Sequence, residues 1–284
     1  MPICNMGSNL KTLKKSGLID EFYSIQLTGS GAVAELENKI ASYYRMKHAL
    51  CVSNATTGLL GLALTLGLKD SEFITSPYTY GGTVSSWLML NNSIIFADIE
   101  PRTATLNPGE IPQIITAKTK AVLAADILGN PSDTKTIRKI ADDFGLWYIA
   151  DAAQSFGAQR DGCPASHLAD ALVISFTNGK TLFAGEGGAI VTDNSDLYEK
   201  LLWHTQHPFR QKRELGLDIS NEFSFNGRIN PMAAIWANAN FEKALKRLKN
   251  YQKKCSEVIE CLDKSGLTVT ADFKAERILP SFSG

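Results

Sequence analysis

The sequence has no apolar run approaching the roughly 18 consecutive residues needed to cross a bilayer, so no membrane partner is expected. It has no excess of either charge. The 29 Lys and Arg are matched by 29 Asp and Glu, which leaves no basic field to attract nucleic acid. The densest basic cluster, KRLKNYQKK at 246–254, reads as the solvated face of a helix. Five cysteines, Cys4, Cys51, Cys163, Cys255 and Cys261, lie scattered without C-x-x-C spacing, and the four histidines form no H-x-x-x-H pair. No metal centre is therefore expected, and the thiols read as reduced, as in a cytoplasm. The opening MPICNMGSNLKTLKK lacks the apolar core of a secretory signal, in keeping with a cytoplasmic location. Internal repeats are absent too.

What is present is an ordinary globular composition, 44% hydrophobic and 20% charged over 284 residues. That length suits one large α/β domain plus part of a second. Residues 1–28 carry little periodic signal. From Gly29 to His48, Val33, Leu36, Ile40 and Tyr43 or Tyr44 recur at helical spacing. The same stretch opens Gly29-Ser30-Gly31-Ala32-Val33-Ala34, a loose dinucleotide fingerprint, but the preceding EFYSIQLT is a poor buried strand and the reading is set aside.

Strand and helix patterns then alternate. A strand through Val52 leads by the turn SNAT to an apolar helix over 57–66. Residues 72–108 hold a strand, a turn, a helix and a strand over 94–97. Residues 121–154 hold a strand ending near Asp126, then a helix capped by Ser132 or Asp133 with Ile137, Ile140, Ala141 and Phe144 as its apolar stripe, and a strand over 146–149. A further strand spans 171–175. This alternation predicts a mostly parallel sheet covered by helices. His204 and His207 read as loop or packing residues.

Open α/β sheets carry their chemistry at the carboxyl ends of their strands. Two strand ends here deliver an acid and an amide, Asp151 and Gln154, and a hydroxyl and an amine, Ser175 and Lys180. The SNAT turn would aim N–H groups outward at a helix N-terminus, which favours an anion. A ligand cationic at one end, phosphorylated at the other and an aldehyde between suits that set, and pyridoxal phosphate has this form.

The residues DAAQ at 151–154 and SFTNGKTLFAGEGG at 175–188 resemble the signature of the DegT/DnrJ/EryC1/StrS aminotransferases. That pattern runs D-x-A-Q/H, then S-F-x-x-x-K-x-(L/I)-x-x-(G/A)-(E/D)-G-G. The serine falls 24 and the lysine 29 positions after the aspartate. The resemblance implies a fold-type-I pyridoxal-phosphate transferase. Lys180 would bond the cofactor's aldehyde and serve as base, and Asp151 would pair with the pyridinium nitrogen. Gln154 would sit by the ring's 3-oxygen. Ala55, Thr56 and Ser175 would hold the phosphate, and Tyr80, after Thr79, would stack on the ring, with Tyr78 the neighbouring alternative.

EFSFNGRINPMAA resembles the family's G-x-N-x-R segment. This implies that Asn226, with Arg228 beside it, reaches the phosphate of a second subunit in a homodimer with shared active sites. Leu36-Glu37 likewise fits the family's F/L-E position.

The implied activity is transfer of an amino group from an amino-acid donor, glutamate or glutamine, to a keto-sugar, often nucleotide-linked, or a keto-cyclitol. Lysine at 180, where some dehydrating members carry histidine, favours transamination; a dehydrating, aromatising synthase of the same family is the second alternative, which the loop TLFAGEGGA does not separate. A non-catalytic partner or regulatory subunit is the third alternative. The expected division is a segment 1–28, a cofactor-binding large domain 29–240, and the start of a small C-terminal domain 241–284. The family continues for roughly another hundred residues, far beyond ordinary loop variation, so this last part is expected to be truncated or abbreviated. It offers one long helix and a candidate strand at 267–273.

Overall fold

The structure is a computed structural model that describes residues 29–265 and 275–276. The segment 1–28 and the candidate strand 267–273 lie outside the described residues. In chain order the elements are α1 (Ala32–Tyr44), β1 (His48–Val52), α2 (Ala55–Thr65), β2 (Glu72–Thr75), α3 (Gly81–Leu88), β3 (Ser93–Phe96), α4 (Ile111–Ile114), β4 (Thr119–Ala125) and α5 (Thr134–Phe144). Then come β5 (Trp147–Asp151), β6 (Gln159–Arg160), β7 (Cys163–Pro164), β8 (Ala171–Ser175), β9 (Gly188–Thr192), α6 (Ser195–Thr205), α7 (Pro208–Leu215), α8 (Pro231–Lys264) and β10 (Ala275–Glu276).

Seven strands form one sheet in the order β1-β9-β8-β5-β4-β2-β3. From β3 to β8 every pairing is parallel, and β9 runs against both β8 and β1. A sheet buried on both faces needs strands apolar at every position. Residues 121–125 of β4 and 171–174 of β8 meet that demand by dividing alternate residues between two cores. Val122, Ala124, Leu172 and Ile174 pack with Leu36 and Ile40 of α1, Ile137 of α5 and Ile235 of α8. Ala121, Leu123, Ala171 and Val173 pack with Leu59 and Leu62 of α2, Trp87 of α3 and Leu201 of α6. Burying one such large side chain stabilises the fold by about 1.5–3 kcal/mol. Trp87 also satisfies its indole N–H, which donates to the Leu59 carbonyl at 2.9 Å and ties α3 to α2.

Local signals explain most helix boundaries. Asn54 caps α2 by accepting from the Thr57 N–H at 2.8 Å, so the helix starts two residues before the expected Thr57. Asp133, rather than Ser132, caps α5; the Ser132 N–H is committed instead to Asp126. Phe144 departs from the expected stripe and is 48% exposed. It is the last residue of α5, followed by Gly145 in the left-handed conformation, where the chain turns out of the helix toward β5. In α1, Tyr44 is the buried member of its tyrosine pair. Helix α8 is continuous across residue 240, with Leu248 buried in an otherwise mostly exposed basic stretch. A three-stranded sheet, β10-β6-β7, flanks the main one.

No helix among the described residues is long and apolar enough to cross a membrane. The reversal of β9 brings Gly188 beside both Val52 and Ser175, at the carboxyl ends of β1 and β8.

Candidate active site

A cavity of about 480 Å³ opens at the carboxyl ends of β4, β5 and β8, against the N-termini of α2 and α3. Ala55, Thr56, Tyr80, Asp151, Gln154, Ser175 and Lys180 all line it. Asn226 does not. It is exposed, at φ 53°, in a loop held to the edge of the sheet. There the Ser53 N–H donates to the Gly227 carbonyl at 2.8 Å and Arg228 bridges to Val52. His204 and His207 also lie outside the cavity; His207 caps α7, its Nδ1 accepting from the Phe209 N–H at 3.2 Å.

One wall is the start of α2. The first N–H groups of a helix have no acceptor within it, and the Asn54 cap takes only that of Thr57, leaving Ala55 and Thr56 at the cavity. Their position depends on two glycines. A Cβ on Gly188 would stand 2.9 Å from the Ala55 nitrogen. One on Gly82 would stand 2.7 Å from the Tyr80 ring and 2.9 Å from Thr56 Oγ1. Across from this wall, the hydroxyls of Ser175 and Thr177 share a hydrogen bond of 2.9 Å.

At the base lies Asp151. Its Oδ2 accepts from Thr83 Oγ1 at 2.6 Å and its Oδ1 from the Ala153 N–H at 3.0 Å. Burial raises its carboxyl above the ordinary value, while the Thr83 hydroxyl, the Ala153 amide and nearby Lys180 pull it back. Lys180 follows β8 in a loop pinned by hydrogen bonds from the Phe176 N–H to the Gly187 carbonyl and from the Ala184 N–H to the Phe176 carbonyl, both 2.8 Å. Burial lowers its ammonium below the ordinary value, opposed by Asp151. Both shifts favour the neutral forms, so the site holds an amine easier to deprotonate than a free lysine.

Gln154 has its orientation decided by a neighbour. Its Oε1 accepts from the Leu128 N–H at 2.9 Å, which leaves the Nε2 donors for the cavity. Leu128 makes this contact from a left-handed conformation, φ 56°. Asp126 also lines the cavity but is fully committed. Its carboxylate accepts from the Ser132 N–H and from the hydroxyls of Ser155 and Ser166, at 2.7–2.8 Å.

Sequence reasoning missed Thr83, Thr177 and Glu186 as cavity residues. The first had a legible signal, since Thr79 and Thr83 are four apart across a helix start. Glu186 stands in the quoted GEGG run without having been assigned a role. Glu37, noted only as a motif position, is half of a buried ion pair with Arg210, at 2.8 Å. Nothing local announces that partner, 173 positions away.

Pyridoxal phosphate fits this donor set. A carboxylate stands ready for a ring N–H, a half-buried amine for an aldehyde, and a helix N-terminus with flanking hydroxyls for a phosphate. Gly82 and Gly188 keep the phosphate wall clear.

Comparison with known proteins agrees. The model of the DegT/DnrJ/EryC1/StrS aminotransferase family matches residues 19–276. GDP-perosamine synthase of Escherichia coli O157:H7 is 30% identical over 213 residues, 75% of this chain and 58% of that protein. UDP-2-acetamido-2-deoxy-3-oxo-D-glucuronate aminotransferase of Pseudomonas aeruginosa is 35% identical over 167 residues, 58% of this chain and 46% of that protein. The solved structure of DesI in the presence of its TDP-sugar product is 30% identical with a TM-score of 0.74, covering 87% of this chain and 60% of that one. The chain thus spans about half the length of the curated relatives it matches.

Proposed function

Because the chain belongs to the DegT/DnrJ/EryC1/StrS aminotransferase family, we propose that it moves an amino group from an amino-acid donor, glutamate or glutamine, to a keto-sugar carried on a nucleotide. One observation carries this reading. A half-buried amine with a lowered pKa, Lys180, shares a cavity with a buried carboxylate, Asp151, that already holds two donated hydrogen bonds.

When bound, pyridoxal phosphate supplies an aldehyde that exchanges amines and a ring that accepts electrons. The protein's own groups do the rest. Lys180 Nζ would hold the cofactor through its aldehyde and, once displaced there by the donor's amine, would act as the base that takes a proton from the donor carbon and returns it to the acceptor, its pKa lowered by burial. Asp151 would keep the ring nitrogen protonated. Gln154 Nε2 would donate to the ring oxygen, Tyr80 would cover the ring face, and Ala55, Thr56 and Ser175 would hold the phosphate.

The site is completed by a second copy of the chain, whose Asn226 reaches the same phosphate. Asn226 is exposed and outside its own cavity, and Phe223, 97% exposed, and Ile219, 68% exposed, give that loop an apolar surface. A closed dimer would bury it. The keto-sugar named in this reading rests on the relatives, which are sugar-modifying enzymes by name.

The test is direct. Protein mixed with pyridoxal phosphate and reduced with borohydride is expected to gain the cofactor's mass at Lys180. The unreduced yellow form is expected to bleach with glutamate or glutamine and to recover with a nucleotide-linked keto-sugar. Protein that stays colourless and unmodified would mark a non-catalytic subunit. Bleaching without recovery across a panel of keto-sugars would remove the acceptor class.

A further inference from the structure

We propose that Thr83 is a positioning residue that holds Asp151 as an oriented carboxylate for the cofactor's ring nitrogen, with Thr79 directing the Thr83 proton. This rests on the function proposed above and concerns residues to which the family resemblance assigned no role.

A hydroxyl has one proton and two lone pairs, and that count sets the direction of the bonds. Thr79 Oγ1 donates to Thr83 Oγ1 at 3.0 Å, which occupies a lone pair and leaves the Thr83 proton to Asp151 Oδ2, 2.6 Å away. The relay therefore runs in one direction, with each bond polarising the next. The Ala153 N–H occupies Oδ1. Each carboxylate oxygen keeps one lone pair, and the plane of the group is set by two fixed donors. A carboxylate that still turned freely would meet a ring N–H in many orientations. This one is restricted before any ligand arrives.

Burial makes the relay consequential. Thr83 is 1% exposed and Asp151 8%, so a hydrogen bond lost here is not replaced by water. Burial pushes Asp151 toward its neutral acid, a poor partner for a pyridinium, and the Thr83 hydroxyl is the largest influence opposing that push. Placement of the relay is also mechanical. Thr83 sits in the first turn of α3, and the residue capping that helix is Tyr80. One short helix therefore carries both the ring that covers the cofactor and the hydroxyl that steadies its counter-ion. Gly82, packed against Tyr80 and Thr56, lets that helix lie close to α2.

The experiment compares two ligands of cofactor-free protein: pyridoxal phosphate, and its analogue with C–H in place of the ring nitrogen. Only the first can use Asp151. Thr83→Val keeps the shape and removes the donor, and is expected to weaken pyridoxal phosphate about tenfold while changing the analogue less than about twofold. Thr83→Ser is expected to restore wild-type discrimination. Equal losses for both ligands, or none for either, would overturn the proposal, the first result assigning Thr83 a purely structural role.

Asp151→Asn separates the two levels of inference. Asp151→Asn weakening both ligands alike, or neither, would sink the reading of the site itself, whereas selective weakening of pyridoxal phosphate by Asp151→Asn alongside an indifferent Thr83→Val would sink the role of Thr83 alone. Should Thr83→Val not fold by circular dichroism, Thr79→Val carries the same test. Loss for pyridoxal phosphate alone supports the relay, and any other pattern overturns it.

Discussion

Gly188 and Ala55 lie so close that no side chain fits between them. A Cβ on the glycine would stand 2.9 Å from the Ala55 nitrogen and 2.7 Å from the Ile174 carbonyl oxygen. Both neighbours are backbone and cannot swing aside. Gly188→Ala is therefore expected to push the start of α2 away from the sheet and to weaken pyridoxal phosphate by about tenfold or more, the scale of losing one or two hydrogen bonds to an anion. Titration of cofactor-free protein, followed by absorbance, measures this. Affinity equal to wild type would mean that the α2 N-terminus does not hold the phosphate.

The pKa of Asp151 carries a sign that can be tested on cofactor-free protein. Burial raises its folded-state value, so its stabilising contribution is complete below the unfolded value of about 4 and is lost as pH rises through the folded one. Asp151→Asn removes the buried charge. At pH 7 the variant is expected to be more stable than wild type, with the difference vanishing as pH falls toward 4, although turnover is abolished. Thermal melts across that range decide it, and a variant less stable at every pH contradicts the burial argument.

Arg210 is 2% exposed and pairs through two nitrogens with Glu37, with Glu214 as a second carboxylate at 2.9 Å. Glu37 also accepts from the Cys51 N–H at 2.7 Å, which joins α1, β1 and α7. Removing one member of a buried pair strands the other. Glu37→Leu is expected to cost about 3 kcal/mol in urea unfolding, and Glu37→Leu with Arg210→Leu less than the sum of the single changes. Strict additivity would show the pair to be uncoupled.

Shared active sites make a prediction about mixtures. Lys180→Ala and Asn226→Ala proteins are each expected to be impaired in the bleaching reaction with glutamate. Mixed and allowed to exchange subunits, they form hybrids in which one site has both Lys180 and the other subunit's Asn226. Activity is therefore expected to reappear. Mixtures no better than their components would mean that Asn226 serves its own protomer or does not serve the phosphate.

Much of the site was legible because its parts are local. Asp151 and Gln154 fall within one span of four residues at the end of a buried strand, and Ser175 and Lys180 within one of six at the end of another. The polar turn at Ser53 to Thr56 stands between an apolar strand and an apolar helix. Where the reading slipped, a local rule met a tertiary circumstance. Phe144 keeps the period of its helix but is its last residue, 48% exposed where the chain turns toward β5.

From its sequence alone, then, this protein's alternation of strands and helices and the residue types at its strand ends were determined, because both follow from side-chain periodicity and motif spacing over short stretches. The tertiary structure decided who stands next to whom. Thr83 meets Asp151 across 68 positions and Arg210 meets Glu37 across 173. Gly188 comes to lie under α2 because β9 runs backwards between β8 and β1. Strand order in a sheet is set by how whole faces bury one another, and no periodicity within a single segment encodes it.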